Sequence, residues 1–234
     1  MLNRVTRPNM RVPPEHVATC MDQLDEFIGQ ASFGPAAALS AGLVHMQLDL
    51  IYPFVDDGPR LNTLISSLIL RAGGVTGDVQ LQLNEQIREK LGEYYGALDA
   101  VLLYGDWEQW LLFWFELLSQ AALRTKGIVE EVLETIACEH DQIGRLSQVR
   151  GSVQAVHDVL RDHPIVSSND VQRLTGLATS TANKALSILR SLEIVNEATG
   201  YARNRVFCYY PLIRVLSDHT DEPARWPKRF PTVR

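Results

Sequence analysis

The sequence has few cysteines, no long apolar run and no common catalytic motif, and each absence narrows its class. Its three cysteines, at positions 20, 138 and 208, are too few and too far apart for a disulfide framework or a zinc site. The longest apolar stretch, residues 110–118, is far shorter than the roughly 20 residues that cross a bilayer. GxGxxG, Walker, HExxH and GxSxG patterns are missing. Since the N-terminus also has no secretory signal, we expect a soluble cytoplasmic protein that does not bind membranes.

Charge is divided unevenly along the chain. Residues 1–149 carry 10 Lys and Arg against 20 Asp and Glu, whereas residues 150–234 carry 12 against 8. An acidic body followed by a basic part suggests two tasks, and a positive patch on a small domain is the minimum electrostatic requirement for nucleic acid. The positive surplus is modest, so it permits DNA binding without requiring it.

Apolar residues spaced three and four apart predict helices through most of the first 150 residues. The predicted helices begin at Glu15 and then cover residues 36–50, 61–70, 80–103, 106–123 and 127–149. No strand-like alternation of useful length interrupts them. This part is therefore predicted to be almost entirely α-helical.

The pattern changes after residue 150. Helices are predicted at residues 152–162, 169–175 and 181–192, followed by two strand-like runs around a glycine turn in IVNEATGYARNRVFCYY. Ser167 or Ser168 is the expected cap of the second helix, with Gly176 as its stop, and Thr179 or Ser180 is the expected cap of the third. This order of elements is that of a winged helix-turn-helix.

The segment HMQLDLIYPFVDDGPRLNTLISSLIL carries the most specific pattern. It resembles the signature of the Fic (Fido) family, H-P-F-x-D/E-G-N-G-R-x-x-R, which lies between two buried helices. The resemblance continues upstream in VPPEHVATCMDQLDEFI and downstream in REKLGEYYGAL and DWEQWLLFWFELLSQAA. The region from VSSNDVQRLTGL to VFCYY is similar to the winged-helix module often fused behind such domains.

The resemblance implies a mainly α fold: a Fic/Fido helical bundle followed by a small winged-helix (α+β) domain. The expected segments are an extended N-terminal arm (1–14), a Fic-like domain (15–150), a winged helix-turn-helix (151–216) and an irregular tail (217–234).

Members of the Fic family transfer AMP from ATP to protein hydroxyls, so the resemblance implies ATP and Mg²⁺ as cofactors and a protein as target. In such a site, a loop at a helix N-terminus presents N–H groups to the phosphates. By resemblance, Asp56 would hold the metal. The nucleotide and phosphate-binding positions would be Asp57, Gly58, Arg60, Tyr94 and Tyr95.

Several motif positions depart from the family pattern. Tyr52 stands at the catalytic histidine position, and a tyrosine's reference pKa near 10 is about three units from what a general base needs at neutral pH. Residues 57–59, Asp-Gly-Pro, replace Gly-Asn-Gly, which adds a negative charge and removes an N–H donor. Thr63 replaces the second arginine and so removes a charge-assisted phosphate contact. These changes predict loss of the ancestral reaction, and a turn kept only for packing is the alternative to a residual ligand site.

The helix-turn-helix pattern predicts a DNA-binding surface. The N-terminal residues of a recognition helix meet base edges, while the wing contacts phosphates. The candidate residues are Ser180, Thr181, Asn183, Lys184, Arg203 and Arg205. A protein-docking or dimerisation module is the alternative.

The leading hypothesis is a degenerate Fic-family protein that acts by binding, as a DNA-binding regulator. One alternative is an active nucleotidyltransferase with Tyr52 in place of the catalytic histidine. Another is a structural partner of a second Fic protein in a toxin–antitoxin-like assembly. We also expect a homo-oligomer.

Overall fold

The computed structural model describes residues 12–30, 34–53, 58–200 and 205–218. The described part is mainly helical with one small three-stranded sheet, which confirms the prediction of a mainly α protein. The chain divides into two compact units, Met1–Thr125 and Lys126–Arg234. No helix within the described ranges is long and apolar enough to cross a membrane.

The first unit consists of helices. They are α1 (Pro14–Gly29), α2 (Pro35–Ile51), α3 (Gly58–Ala72), α4 (Leu83–Glu89), α5 (Leu91–Tyr104) and the beginning of α6 (Trp107–Gly144). The helix predicted at residues 80–103 is two helices that meet at Lys90. The prediction of separate helices at 106–123 and 127–149 was wrong, because α6 runs without a break through Gly127. One glycine costs a helix only about 1 kcal/mol, which packing on either side outweighs.

The core of the first unit forms where α6 packs on α2. Trp110 and Trp114 are fully buried, and their indole N–H groups donate to the carbonyls of Gly42 (3.1 Å) and Ala38 (2.9 Å). Both rings thus reach the α2 backbone directly. Trp107, at the start of α6, is partly exposed and lies outside this core.

The second unit adds short helices around a sheet. Its further elements are α7 (Arg150–Asp162), β1 (Ile165–Ser167), α8 (Ser168–Thr175), α9 (Thr179–Ser191), β2 (Val195–Glu197), β3 (Val206–Tyr209) and α10 (Tyr210–Asp218). The sheet order is β1-β3-β2 with both pairs antiparallel, Val166 opposite Phe207 and Asn196 opposite Cys208. The hairpin expected from the sequence is therefore present, and β1 adds a third strand.

The ends of α8 follow local sequence rules. Ser167 is its N-cap and forms a capping box with Asp170, and Gly176 ends it in the left-handed conformation at φ 70°. The cap predicted for the next helix was wrong, because the N-cap of α9 is Ala178. The Thr179 hydroxyl donates instead to the side-chain oxygen of Gln172 at 2.7 Å.

The predicted irregular segments fall mostly outside the described residues. These are positions 1–11 of the N-terminal arm and 219–234 of the tail. Helix α10, which was not predicted, includes residues 217 and 218, the first two of the predicted tail.

Candidate functional site

Tyr52 lies at the end of α2, where the predicted catalytic motif begins. It adopts the left-handed conformation with φ 48° and ψ 59°, and its N–H donates to the Leu48 carbonyl at 2.9 Å. A non-glycine residue pays roughly 1–2 kcal/mol for this conformation. Tyr52 is half-buried. Asp56 and Asp57, the predicted metal and phosphate positions, lie outside the described residues.

Beyond the motif loop, α3 begins at Gly58, and Arg60 is exposed in its first turn. Thr63, at the position of the family's second arginine, is 4% exposed. Its hydroxyl lies 2.7 Å from Oδ1 of Asn84, to which it donates, and 3.0 Å from the Arg60 carbonyl. Thr63 therefore joins α3 to α4 and supplies no group to an anion.

A buried polar network lies under the motif helices. Nδ1 of His45 is 3.1 Å from the Ser66 hydroxyl, and Nε2 is 3.2 Å from the Tyr94 hydroxyl. Ser66 in turn donates to the Asn62 carbonyl at 2.8 Å. This order assigns the proton of a neutral His45 to Nδ1, which donates to Ser66, while Nε2 accepts from Tyr94.

The network keeps His45 neutral. Burial lowers the pKa of His45 to about 4, although the hydrogen bond with the Asn62 backbone acts in the opposite direction. His45 is 1% exposed and packs against the rings of Tyr94, Trp110 and Trp114. It is thus a buried, hydrogen-bonded core histidine, and its role is structural.

The two predicted base-binding tyrosines have different surroundings. Tyr94 is buried, binds His45 and packs edge-on against Trp110 and Phe113. Tyr95 is 39% exposed, with its ring 5.3 Å from that of Tyr94. Only Tyr95 of this pair therefore presents an accessible ring.

Two cavities of the first unit are lined by other residues. A cavity of about 130 Å³ lies between α3 and the segment 76–81. A groove of about 470 Å³ lies between α1, α2 and Trp107, with mostly apolar walls. The linings of both cavities lack Tyr52, Arg60, Tyr94 and Tyr95.

In the second unit, α9 presents the predicted recognition face. Ser180 and Lys184 are exposed, whereas Thr181 and Asn183 are half-buried. The opposite face of α9 is buried through Ala182, Leu186 and Leu189. Lys184 forms no ion pair with any residue that the structure describes. The exposed side of α9 is therefore polar and carries one unneutralised cation.

Asn183 is less accessible than its helix position predicted. Its Oδ1 atom is buried and has no hydrogen-bond partner among the described residues. An asparagine that reads adenine needs both its oxygen and its nitrogen at the base edge. In the observed rotamer Asn183 does not offer both.

The wing arginine Arg205 is held by intramolecular contacts. Its guanidinium is 3.7 Å from the Glu197 carboxylate and 5.5 Å from the ring centre of Phe207. Arg190 of α9 lies 3.5 Å from the same carboxylate. Phosphates would therefore compete with Glu197 for two cations. Arg203 lies outside the described residues.

Sequence reasoning missed a buried polar cluster in the second unit. Glu139 of α6 accepts from the Tyr209 hydroxyl and lies 2.8 Å from Nε2 of His157. All three side chains are buried, and Glu139 together with burial raises the pKa of Tyr209. The only indication of this cluster in the sequence was a histidine, His157, on the apolar face of α7. Within the described residues, no three His, Cys, Asp or Glu side chains are placed to hold a metal ion.

We compared the sequence with protein-family models and with curated proteins. No protein-family model matches this sequence, and no curated protein matches it.

Proposed function

We propose that this chain is a Fic-like protein without transferase chemistry that acts by binding DNA through a winged helix in its second unit. The observation that carries the proposal is the element order α7-β1-α8-α9-β2-β3, in which β1 and β2 both pair with β3. We interpret this order as that of a winged helix, with α9 as the recognition helix and the connection between β2 and β3 as the wing.

The connection between α8 and α9 supports this proposal. Three residues, 176–178, join the helices, and Gly176 makes the left-handed turn that so short a connection requires. The apolar side of α9 is used by the core, so its opposite side is left for a ligand. That side presents hydroxyls and Lys184, groups that bind phosphates and base edges.

The charges on α9 and at the wing predict weak, salt-dependent binding of DNA. Lys184 supplies one unneutralised cation, while Glu197 partly neutralises Arg190 and Arg205. Each phosphate contact contributes about 0.9 to the slope of log affinity against log salt concentration. A small number of contacts therefore gives low affinity at physiological salt, and a second DNA-binding module would raise it.

Two positions in the first unit support the part of the proposal that assigns no catalytic activity to the chain. The residue at the base position is Tyr52, and the second arginine position, Thr63, faces the protein interior. Arg60 is an exposed cation near the motif loop, and it would contact the phosphates of any retained nucleotide.

The test is a titration of the full chain with labelled random-sequence and native promoter duplexes at two salt concentrations. Replacing Arg203 and Arg205 together by Ala should weaken binding to every duplex and reduce the salt slope by about two. Lys184→Ala should reduce it by about one. Arg145→Ala is the matched control, because it removes an exposed cation that follows the end of α6 and belongs neither to α8 nor to α9.

Two outcomes contradict the proposal. One is no duplex binding at low salt by a chain that is folded by circular dichroism. The other is an equal loss of binding in Arg145→Ala and Lys184→Ala. Either result would favour a protein-docking role for the second unit.

A further inference from the structure

Two arginines of the second unit converge on one carboxylate oxygen. Nη1 of Arg190 lies 3.5 Å from Oε2 of Glu197, and Nη1 of Arg205 lies 3.7 Å from the same atom. The Glu197 side chain is 12% exposed, whereas those of Arg190 and Arg205 are 60% and 37% exposed. All three residues belong to one compact unit. Two partly exposed cations thus already hold an anionic oxygen between them.

Arg190 lies on the exposed side of α9, the proposed recognition helix. Lys184, Ser187 and Arg190 are exposed and follow one another in steps of three along this helix. Residues three apart on a helix are neighbours on its surface. Arg190 therefore continues the polar surface that carries Lys184 to the end of α9 that precedes β2.

Arg205 reaches the same carboxylate from the other strand of the hairpin. It directly precedes β3, and the strand register pairs Glu197 of β2 with Phe207 of β3. Arg205 is thus a diagonal neighbour of Glu197, at a separation that a long side chain spans. Its guanidinium lies over the Phe207 ring, 5.5 Å from the ring centre. This cation–π contact steadies Arg205 without using the N–H groups that bind an anion.

Glu197 holds the two arginines loosely. A tight charge-assisted bond between nitrogen and oxygen measures roughly 2.7–2.9 Å, and both arginine distances to Glu197 exceed this. A guanidinium group offers several N–H donors, of which one shared oxygen engages few. Phosphate oxygens bind to guanidinium groups with the same geometry as carboxylate oxygens. A phosphate can therefore take the place of the carboxylate.

We propose that Arg190 and Arg205 form a binding site for a phosphate of the DNA backbone, and that Glu197 is a built-in competitor that lowers its affinity. This inference rests on the proposed DNA-binding function. The carboxylate offsets one of the two positive charges, so the pair acts on DNA as a single cation. When a phosphate enters, Glu197 loses its partners in a largely buried position, and the cost of that unpaired charge keeps binding weak and reversible.

The test is a titration of full-chain variants with a labelled random-sequence duplex at several salt concentrations. Glu197→Gln keeps the size of the side chain and removes its charge, which adds one phosphate contact. The salt slope should therefore increase by about 0.9, and the affinity at 0.1 M salt should rise about eightfold. In a chain that also carries Arg190→Ala and Arg205→Ala, Glu197→Gln should give no such gain, because the cations that it would release are missing.

Glu193→Gln is the matched control. It removes the same charge from the turn between α9 and β2, where Glu193 is exposed and forms no ion pair with the residues that the structure describes. Its affinity for the duplex should rise less than about twofold, through the change in net charge alone. Circular dichroism should show the same helix content for both glutamine variants, because each substitution keeps the size of the side chain.

The outcomes separate this inference from the proposed function. Binding by the wild type, with a gain in Glu197→Gln no larger than in Glu193→Gln, would overturn the inference alone. So would a gain that persists without the two arginines. A loss of affinity in Glu197→Gln would also overturn it, because Glu197 would then position the arginines for DNA. Absence of binding by both the wild type and Glu197→Gln at low salt would overturn the inference and the proposed function together.

Discussion

At the scale of single residues, His45 shows how burial decides chemistry. Its position before the motif suggests a functional group, yet its two nitrogens are used by Ser66 and Tyr94. A charged imidazolium there would lose its hydration and gain no carboxylate partner, which is why the pKa falls to about 4. The residue stabilises the fold only in its neutral form.

Stability should consequently depend on pH through His45. In the unfolded chain the imidazole binds a proton below its ordinary pKa of 6.5, whereas the folded protein resists protonation until about pH 4. The unfolded state thus binds more protons between these values, and the free energy of unfolding should fall as pH falls from 6.5 to 4, by about 3 kcal/mol at most. Urea denaturation at several pH values measures this slope.

His45→Gln is the comparison for that measurement. It removes the titrating group, so the difference in stability between the wild type and the variant should shrink as the pH decreases. Parallel pH profiles for the two proteins would contradict the assignment of the slope to His45.

At the scale of elements, the contact between α2 and α6 depends on one glycine. A Cβ at position 42 would lie 2.5 Å from Cδ1 of Trp114, closer than side chains approach. The buried Trp110 indole also donates to the Gly42 carbonyl. Gly42 therefore allows both rings to reach the α2 backbone.

Gly42→Ala should destabilise the first unit by about 1–3 kcal/mol, because Trp114 is fully buried and has little space to move. Gly96→Ala on α5 is the control, since a Cβ there meets nothing within 4 Å. It should be neutral or stabilising by up to about 1 kcal/mol through helix propensity. Chemical denaturation compares the two variants, and equal effects would contradict the packing argument.

At the scale of the whole molecule, the two units are assigned different tasks in the proposed function. The first unit is acidic, and the proposal gives it no transferase chemistry. The second has a sheet and helix order that supports DNA binding.

The chain should show no AMP transfer to itself or to lysate proteins. The reason is that Tyr52 stands where the family motif has its histidine base and that Thr63 offers no cation. Labelled ATP with Mg²⁺ is the assay. Transfer that disappears in Tyr52→Phe would instead establish the active-enzyme alternative.

ATP affinity should be high-micromolar or weaker, because each lost charge-assisted contact costs about 1.5–3 kcal/mol. Calorimetry measures it, with Arg60→Ala as the comparison. Low-micromolar binding abolished by that substitution would show a retained nucleotide site.

The sequence by itself determined the helical class, the hairpin and the ends of α8. These follow from local rules: apolar spacing selects a helix face, Ser167 satisfies free N–H groups, and Gly176 adopts the left-handed turn. The resemblance to the Fic motif was also read from contiguous residues, and it stays a prediction.

The tertiary structure decided what distant residues do. Packing on both sides of Gly127 kept α6 continuous where propensity predicted a break. Glu139 became buried because His157 and Tyr209 approach it from other elements, and Glu197 engaged Arg205 across the hairpin. Such pairings depend on three-dimensional proximity and not on spacing along the chain. The local sequence pattern therefore predicted the helices and strands, but it did not predict which residues of different elements contact each other.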